Sequence, residues 1–212
     1  MGLVVEERAG DAPRVRAPRW FEHPPQWFFH AILIVPTAML LLAASVPGTM
    51  FFLGIAAVWL LAIGGLLWLV RIALYVSARV RGRSAGSPLW CLVAPAAGCV
   101  VVAMLVVDAP LRLRWAGSRS DFARAVADAP SPRGVDRRIP FAVERHLGSY
   151  EVISGIRAGD AVFFYESSGA FLDHAGFAYL PSGPESLRGN AGFESPQFTE
   201  LGGGWYAWTA SW

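Results

Sequence analysis

Lysine is missing from this chain, and all 18 basic residues are arginine. That absence excludes chemistry that needs a primary amine: a P-loop phosphate-binding lysine, a Schiff-base lysine or the Ser-x-x-Lys nucleophile pair. Cysteine is almost as scarce. Cys91 and Cys99 are the two present, and eight residues of helix hold them about 12 Å apart, too far for a disulfide. Beyond residue 110 there is no cysteine, so a domain there folds on its core alone. That part also lacks a charge excess, with ten Arg against eleven Asp and Glu. A nucleic-acid partner, which wants a basic face, is not expected.

Charge is absent from three long apolar runs, Phe28–Val46, Met50–Val70 and Leu89–Val107, each 19 to 21 residues long. A helix of about 20 residues crosses a hydrocarbon layer of roughly 30 Å. The sequence therefore predicts three transmembrane helices within residues 28–110, after an N-terminal tail of residues 1–27. Seven arginines (Arg8, Arg14, Arg16, Arg19, Arg79, Arg81 and Arg83) fall on the side shared by that tail and the second loop. Four, Arg112, Arg114, Arg119 and Arg124, fall opposite. Positive charge favours the cytoplasmic side, which puts the N-terminus inside and residues 111–212 outside. Trp20, Trp27, Trp68, Tyr75, Trp90 and Trp115 mark the run ends, where amphipathic rings settle at headgroup depth. The first run does not read as a cleaved signal peptide, because its leading segment is too long and Pro36 interrupts it.

Within the membrane part, Val46-Pro47-Gly48-Thr49 closes a tight antiparallel hairpin. Ala94 and Gly98 have the spacing for close helix approach, with Gly64-Gly65 as their expected counterpart. His30 and Arg71 lie near the inner interface, where an arginine can snorkel to water. Without a buried acid, three spans make a poor transporter unless several copies assemble, and a homo-oligomer stays open.

The outward residues predict a small α+β domain with an antiparallel sheet. Residues 118–130 read as a helix with Phe122, Ala125, Val126 and Ala129 on one face. Tyr150–Ile156, Ala161–Ser167, Phe177–Leu180 and Trp205–Trp212 alternate as strands, with Phe171–His174 as a further short one and Ala175-Gly176 as a bulge or bend. Pro181–Pro196 reads as a loop, and Gly202-Gly203-Gly204 as a turn feeding the last strand.

No catalytic or metal signature stands out. His146, His174, Glu144 and Asp173 lack recognisable ligand spacing. His174, Asp173 and Glu166 are the least poor enzyme candidates. Glu151 with Glu166, or Asp160 with Asp173, are conceivable acid–base pairs, yet ordinary surface carboxylates fit them as well. No cofactor is expected. Tyr206, Trp208 and Trp212 share one face of the last strand and are the candidate binding residues, since flat rings offer contact area at low entropy cost. Aromatic strands also build the cores of small sheets.

The three spans, the arginine-only basic complement, the run from Gly169 to Tyr179 (GAFLDHAGFAY) and the ending from Gly203 to Trp212 (GGWYAWTASW) resemble uncharacterised small three-span membrane proteins of high-GC actinobacteria. The resemblance implies a bacterial plasma membrane and supplies no activity. The expected function is a membrane-anchored, non-enzymatic interaction or accessory protein with a membrane or envelope protein partner. The alternative is an extracytoplasmic binder of small ligands or glycans.

Overall fold

A computed structural model describes residues 23–25, 27–83, 86–131, 138–169, 174–187 and 194–211. It contains four helices, α1 (Trp27–Ala43), α2 (Phe51–Val80), α3 (Trp90–Val106) and α4 (Ala109–Asp128). Seven strands follow: β1 (Arg138–Phe141), β2 (His146–Leu147), β3 (Tyr150–Ala158), β4 (Ala161–Glu166), β5 (His174–Tyr179), β6 (Glu194–Gly202) and β7 (Trp205–Ser211).

Among the described residues, only α2 is by itself long and apolar enough to cross a membrane; α3 and α4, bent by 55° where they meet, add a second only if counted as one span. At 17 residues each, α1 and α3 rise about 25 Å, short of a ~30 Å hydrocarbon layer. The fold thus shows one such helix, or two, where the sequence predicts three spans. Phe52, Trp59 and Leu66 on α2 and Leu92 and Val102 on α3 are exposed, and α3 buries no residue. Helices of a soluble core bury a stripe and turn polar groups outward. These do neither.

Several boundaries move. α2 continues ten residues beyond the expected Val70, to Val80. Gly64 meets α1, where an added Cβ would lie 2.7 Å from Leu33, while Gly65 and Gly98 have nothing within 4 Å. The expected contact with α3 is replaced because the short turn makes α1 and α2 direct neighbours. Arg71 is held by protein groups. It is buried, donates to the His23 carbonyl at 2.6 Å and lies over the Phe29 ring.

α4 begins at Ala109, well before the expected Ser118, with Pro110 in its first turn, where a missing N–H costs nothing. Its inner face carries Leu111, Trp115, Ser118 and Phe122, all buried, at the three- and four-residue spacing of one helix face. Trp115 is thus a core residue and not an interface marker. It stacks on Phe177 at 4.8 Å and meets Trp205 at 5.0 Å. Phe122 sits among Tyr150, Phe164, Phe177 and Trp205, with centroids 5.0 to 6.1 Å away. Each such ring pair contributes about 0.5–1.5 kcal/mol beyond its buried area.

The sheet is antiparallel in the order β1-β3-β4-β5-β7-β6, with β2 beside β3. Both faces of its centre are buried. One packs on α4; the other gathers Ala161, Phe163, Ala178, Leu180, Trp208 and Ala210. Ala175 and Gly176 form no bulge: β5 pairs regularly through them. Gly176 is required because an added Cβ would sit 1.8 Å from the Phe164 carbonyl oxygen of β4. The described residues of the segment expected as a loop over Pro181–Pro196 include a 3₁₀ turn, Pro184–Leu187, and the start of β6. Phe171–Asp173 lies outside the described residues. Gly202, Gly203 and Gly204 all have positive φ in the β6–β7 turn, a region open to glycine without steric cost.

Phe122→Ala should destabilise the domain by about 3–5 kcal/mol, read as a lower unfolding temperature by near-ultraviolet circular dichroism.

Candidate functional site

The turn between α1 and α2 is built into the α+β domain. Val46 is buried in the same cluster as Leu111, Trp115, Phe122 and Phe177, with Met50 packed against it. The Tyr150 hydroxyl donates to the Ser45 carbonyl at 3.1 Å. Arg114 Nη1 donates to Ser45 Oγ at 3.0 Å, Nε donates to Ser149 Oγ at 3.0 Å, and Nη2 donates to the Ser149 carbonyl. Its guanidinium also lies 4.3 Å above the Tyr150 ring. A planar fork of five N–H groups can hold three partners and an aromatic face at once, which lysine cannot. Ser118 completes the junction by accepting the Ser149 N–H at 3.1 Å.

Glu166, one of the enzyme candidates, is buried at this junction. Its carboxylate accepts the Ser168 and Gly169 amides at 2.8 and 2.6 Å and the Ser168 hydroxyl at 2.5 Å. It holds the turn after β4 beneath the hairpin: a Cβ on Gly169 would lie 2.1 Å from the Pro47 carbonyl oxygen. Its oxygens are occupied by structure. Glu151, expected as a partner for Glu166, instead accepts Arg145 Nε at 2.8 Å, and that contact holds its carboxyl below the usual range. Asp160 accepts the Ser182 hydroxyl at 2.7 Å. His174 is half-buried, edge-on to Tyr165 at 5.5 Å. Asp173 lies outside the described residues, among which no three His, Cys, Asp or Glu side chains converge as a metal site would require.

The candidate aromatics are dispersed in exposure. Trp208 is 1% exposed, with Phe163 and Tyr165 edge-on at 5.8 and 5.0 Å. Tyr206 is half-buried, edge-on to Phe198 at 6.3 Å. Trp212 lies outside the described residues. An open aromatic platform is not formed by Tyr206 and Trp208.

A groove of about 190 Å³ opens beside the docked turn, with Trp208 among its lining residues. Thr49 comes from the turn, Asp108 from the α3–α4 corner, Gln197 and Thr199 from β6, and Thr209 from β7, over an apolar floor that includes Val46 and Leu111. Gln197 lies directly opposite Thr209 in the ladder. Sequence reading passed over these residues because they lie far apart in the chain and belong to no motif. The only local signal was the pair Gly48-Thr49, a turn. No known protein family, no curated protein and no solved structure matches this chain.

Burial is the chief reason that the Tyr150 hydroxyl has a pKa raised well above the ordinary 10; Arg114 opposes the shift and Glu166 adds to it. A group with a raised folded pKa stabilises the fold below its unfolded pKa and loses that contribution as pH climbs above it. Tyr150 should therefore lend full stability at neutral pH and progressively less above about pH 10. Stability measured from pH 8 to 11.5 should fall, and Tyr150→Phe should flatten that fall while costing about 0.5–1.5 kcal/mol at pH 7. An unchanged alkaline slope in the variant would contradict the burial of Tyr150 at this junction.

Proposed function

We propose that the protein is a membrane-anchored, non-enzymatic interaction or accessory module of a bacterial plasma membrane. In this reading it crosses the bilayer three times, with the N-terminus cytoplasmic and the α+β domain outside. The observation that carries it is the hairpin turn sealed into the domain core. A domain joined in this way is held at a fixed height and angle above the bilayer, as a surface for a membrane or envelope partner must be. A flexible tether would leave it free to rotate. The apolar surface around α1, α2 and α3 supports insertion, because lipid solvates such faces and water does not. The excess of arginine at the N-terminal end supports the orientation.

A second reading, an extracytoplasmic binder of small ligands or glycans, is favoured by the groove beside the turn. The side chains of Thr49, Asp108, Gln197, Thr199 and Thr209 reach it from four separate stretches of the chain.

The test is purification of the intact, N-terminally tagged protein from native membranes in mild detergent, with mass spectrometry of what accompanies it. The accessory reading expects a protein companion in stoichiometric amount. Its absence under several extraction conditions would argue against that reading. A C-terminal reporter enzyme that works only outside the cytoplasm should be active, and an inactive, stably expressed fusion would reverse the orientation.

A further inference from the structure

We infer that the groove between the hairpin turn and the β6–β7 edge binds a neutral, hydroxyl-rich group about one sugar ring in size. This rests on the ligand-binding reading above and narrows it to a class. The group can be the headgroup of a glycolipid or a free sugar; the recognising chemistry is the same.

The hydrogen-bonding inventory carries the inference. Thr49, Thr199 and Thr209 each offer a hydroxyl that donates and accepts, Gln197 offers an amide that does both, and Asp108 accepts only. Hydroxyl-rich ligands match such a set, since each oxygen both donates and accepts. An alkylammonium group only donates, and would leave the Gln197 amide and the threonine protons without acceptors. A phosphate or carboxylate would face Asp108 with no cation among the lining residues. Val46, Pro47, Leu111 and Ala207 supply an apolar floor for the C–H face of a ring. A volume of about 190 Å³ is below that of sites for drug-sized ligands, which begin near 300 Å³.

The backbone is also held unusually here. Among the described residues, the non-glycine positions with positive φ are Thr49 (63°), Asp108 (53°) and Ser195 (46°). Thr49 and Asp108 line the groove, and Ser195 sits in the irregularity of β6 just before Gln197. The left-handed region is costly for a β-branched residue such as threonine, and conformations of this kind gather at ligand clamps. With the hairpin inserted, the groove opens at headgroup depth, within reach of a lipid-borne sugar.

The experiment uses the full chain in a detergent without a sugar headgroup, and separately in nanodiscs of phosphatidylglycerol and phosphatidylethanolamine. Free glucose, galactose, mannose and inositol are probed by saturation-transfer NMR. Monoglucosyl diacylglycerol is added to the nanodiscs and followed by tryptophan fluorescence. Saturable binding of a free sugar identifies a soluble source; binding only in glycolipid nanodiscs identifies a lipid one. Thr209→Val and Gln197→Leu should each weaken binding about tenfold, the loss of one good hydrogen bond. Thr209→Ser should stay close to wild type, and unchanged unfolding temperatures would show that all three variants fold. Equal binding by Thr209→Val, tighter binding of glycerol 3-phosphate, or no binding from either sugar source would overturn the inference. If the sugars fail but native extraction yields another small molecule that Thr209→Val no longer retains, the sugar class is wrong and the ligand-binding reading survives. If nothing is retained, both fall.

Discussion

One guanidinium group decides how the two parts of this protein are joined. Arg114, on the first turns of α4, reaches Ser45 at the end of the α1–α2 hairpin and Ser149 ahead of β3, and covers the ring of Tyr150. Tyr150 in turn donates to the Ser45 carbonyl, 105 positions earlier in the chain. Three segments with no local reason to meet are fixed by a few directional bonds at the rim of an aromatic core. The Tyr150–Ser45 bond is buried and would be expensive to leave unmade, while the two bonds from Arg114 to Ser149 are exposed and serve mainly to orient the guanidinium. That gives the junction its specificity, while burial of Val46 among Leu111, Trp115 and Phe177 gives it cohesion.

The rest of the architecture follows from that seal. α4 cannot be a free linker, because its inner face is shared between the hairpin turn at one end and the sheet along its length. The sheet in turn cannot tilt away from the apolar helices without opening its own core. The turn after β4, held by the Glu166 carboxylate, lies against the hairpin from the other side. The groove lies where the hairpin turn meets β7 and the edge strand β6. Its polar lining comes from Thr49, Asp108, Gln197, Thr199 and Thr209.

The sequence made some of this legible for physical reasons. Apolar runs announce themselves when every face of a helix is apolar, and α1 to α3 were found close to where they lie. The strands β3, β4 and β7 were readable from alternation. The start of α4 was not, because Arg112 and Arg114 interrupt the apolar pattern and Pro110 suggests a break, whereas proline suits a first helical turn. β1 holds Pro140 within four residues, β2 has two residues, and β6 carries Ser195-Pro196 and several polar side chains; all three are too short or too polar to signal themselves. Alternation correctly separated Trp208 from Ala207 and Thr209, but it could not say which face was outward when both faces are buried. The docking of the hairpin turn was invisible for a simpler reason. Contacts spanning 69 and 105 positions leave no local pattern.

The central claim is that the hairpin turn and the outer domain form one cooperative unit. Native-state hydrogen exchange of the full chain in lipid nanodiscs tests it most directly, comparing residues 45–50 with β4 in the wild type and in Trp115→Ala. The account predicts that the turn is protected in the wild type and that loosening the core at Trp115 raises exchange in the turn and in β4 together. Exchange at the turn that stays unchanged while β4 is exposed would mean that hairpin and domain are independent, and the account would be wrong.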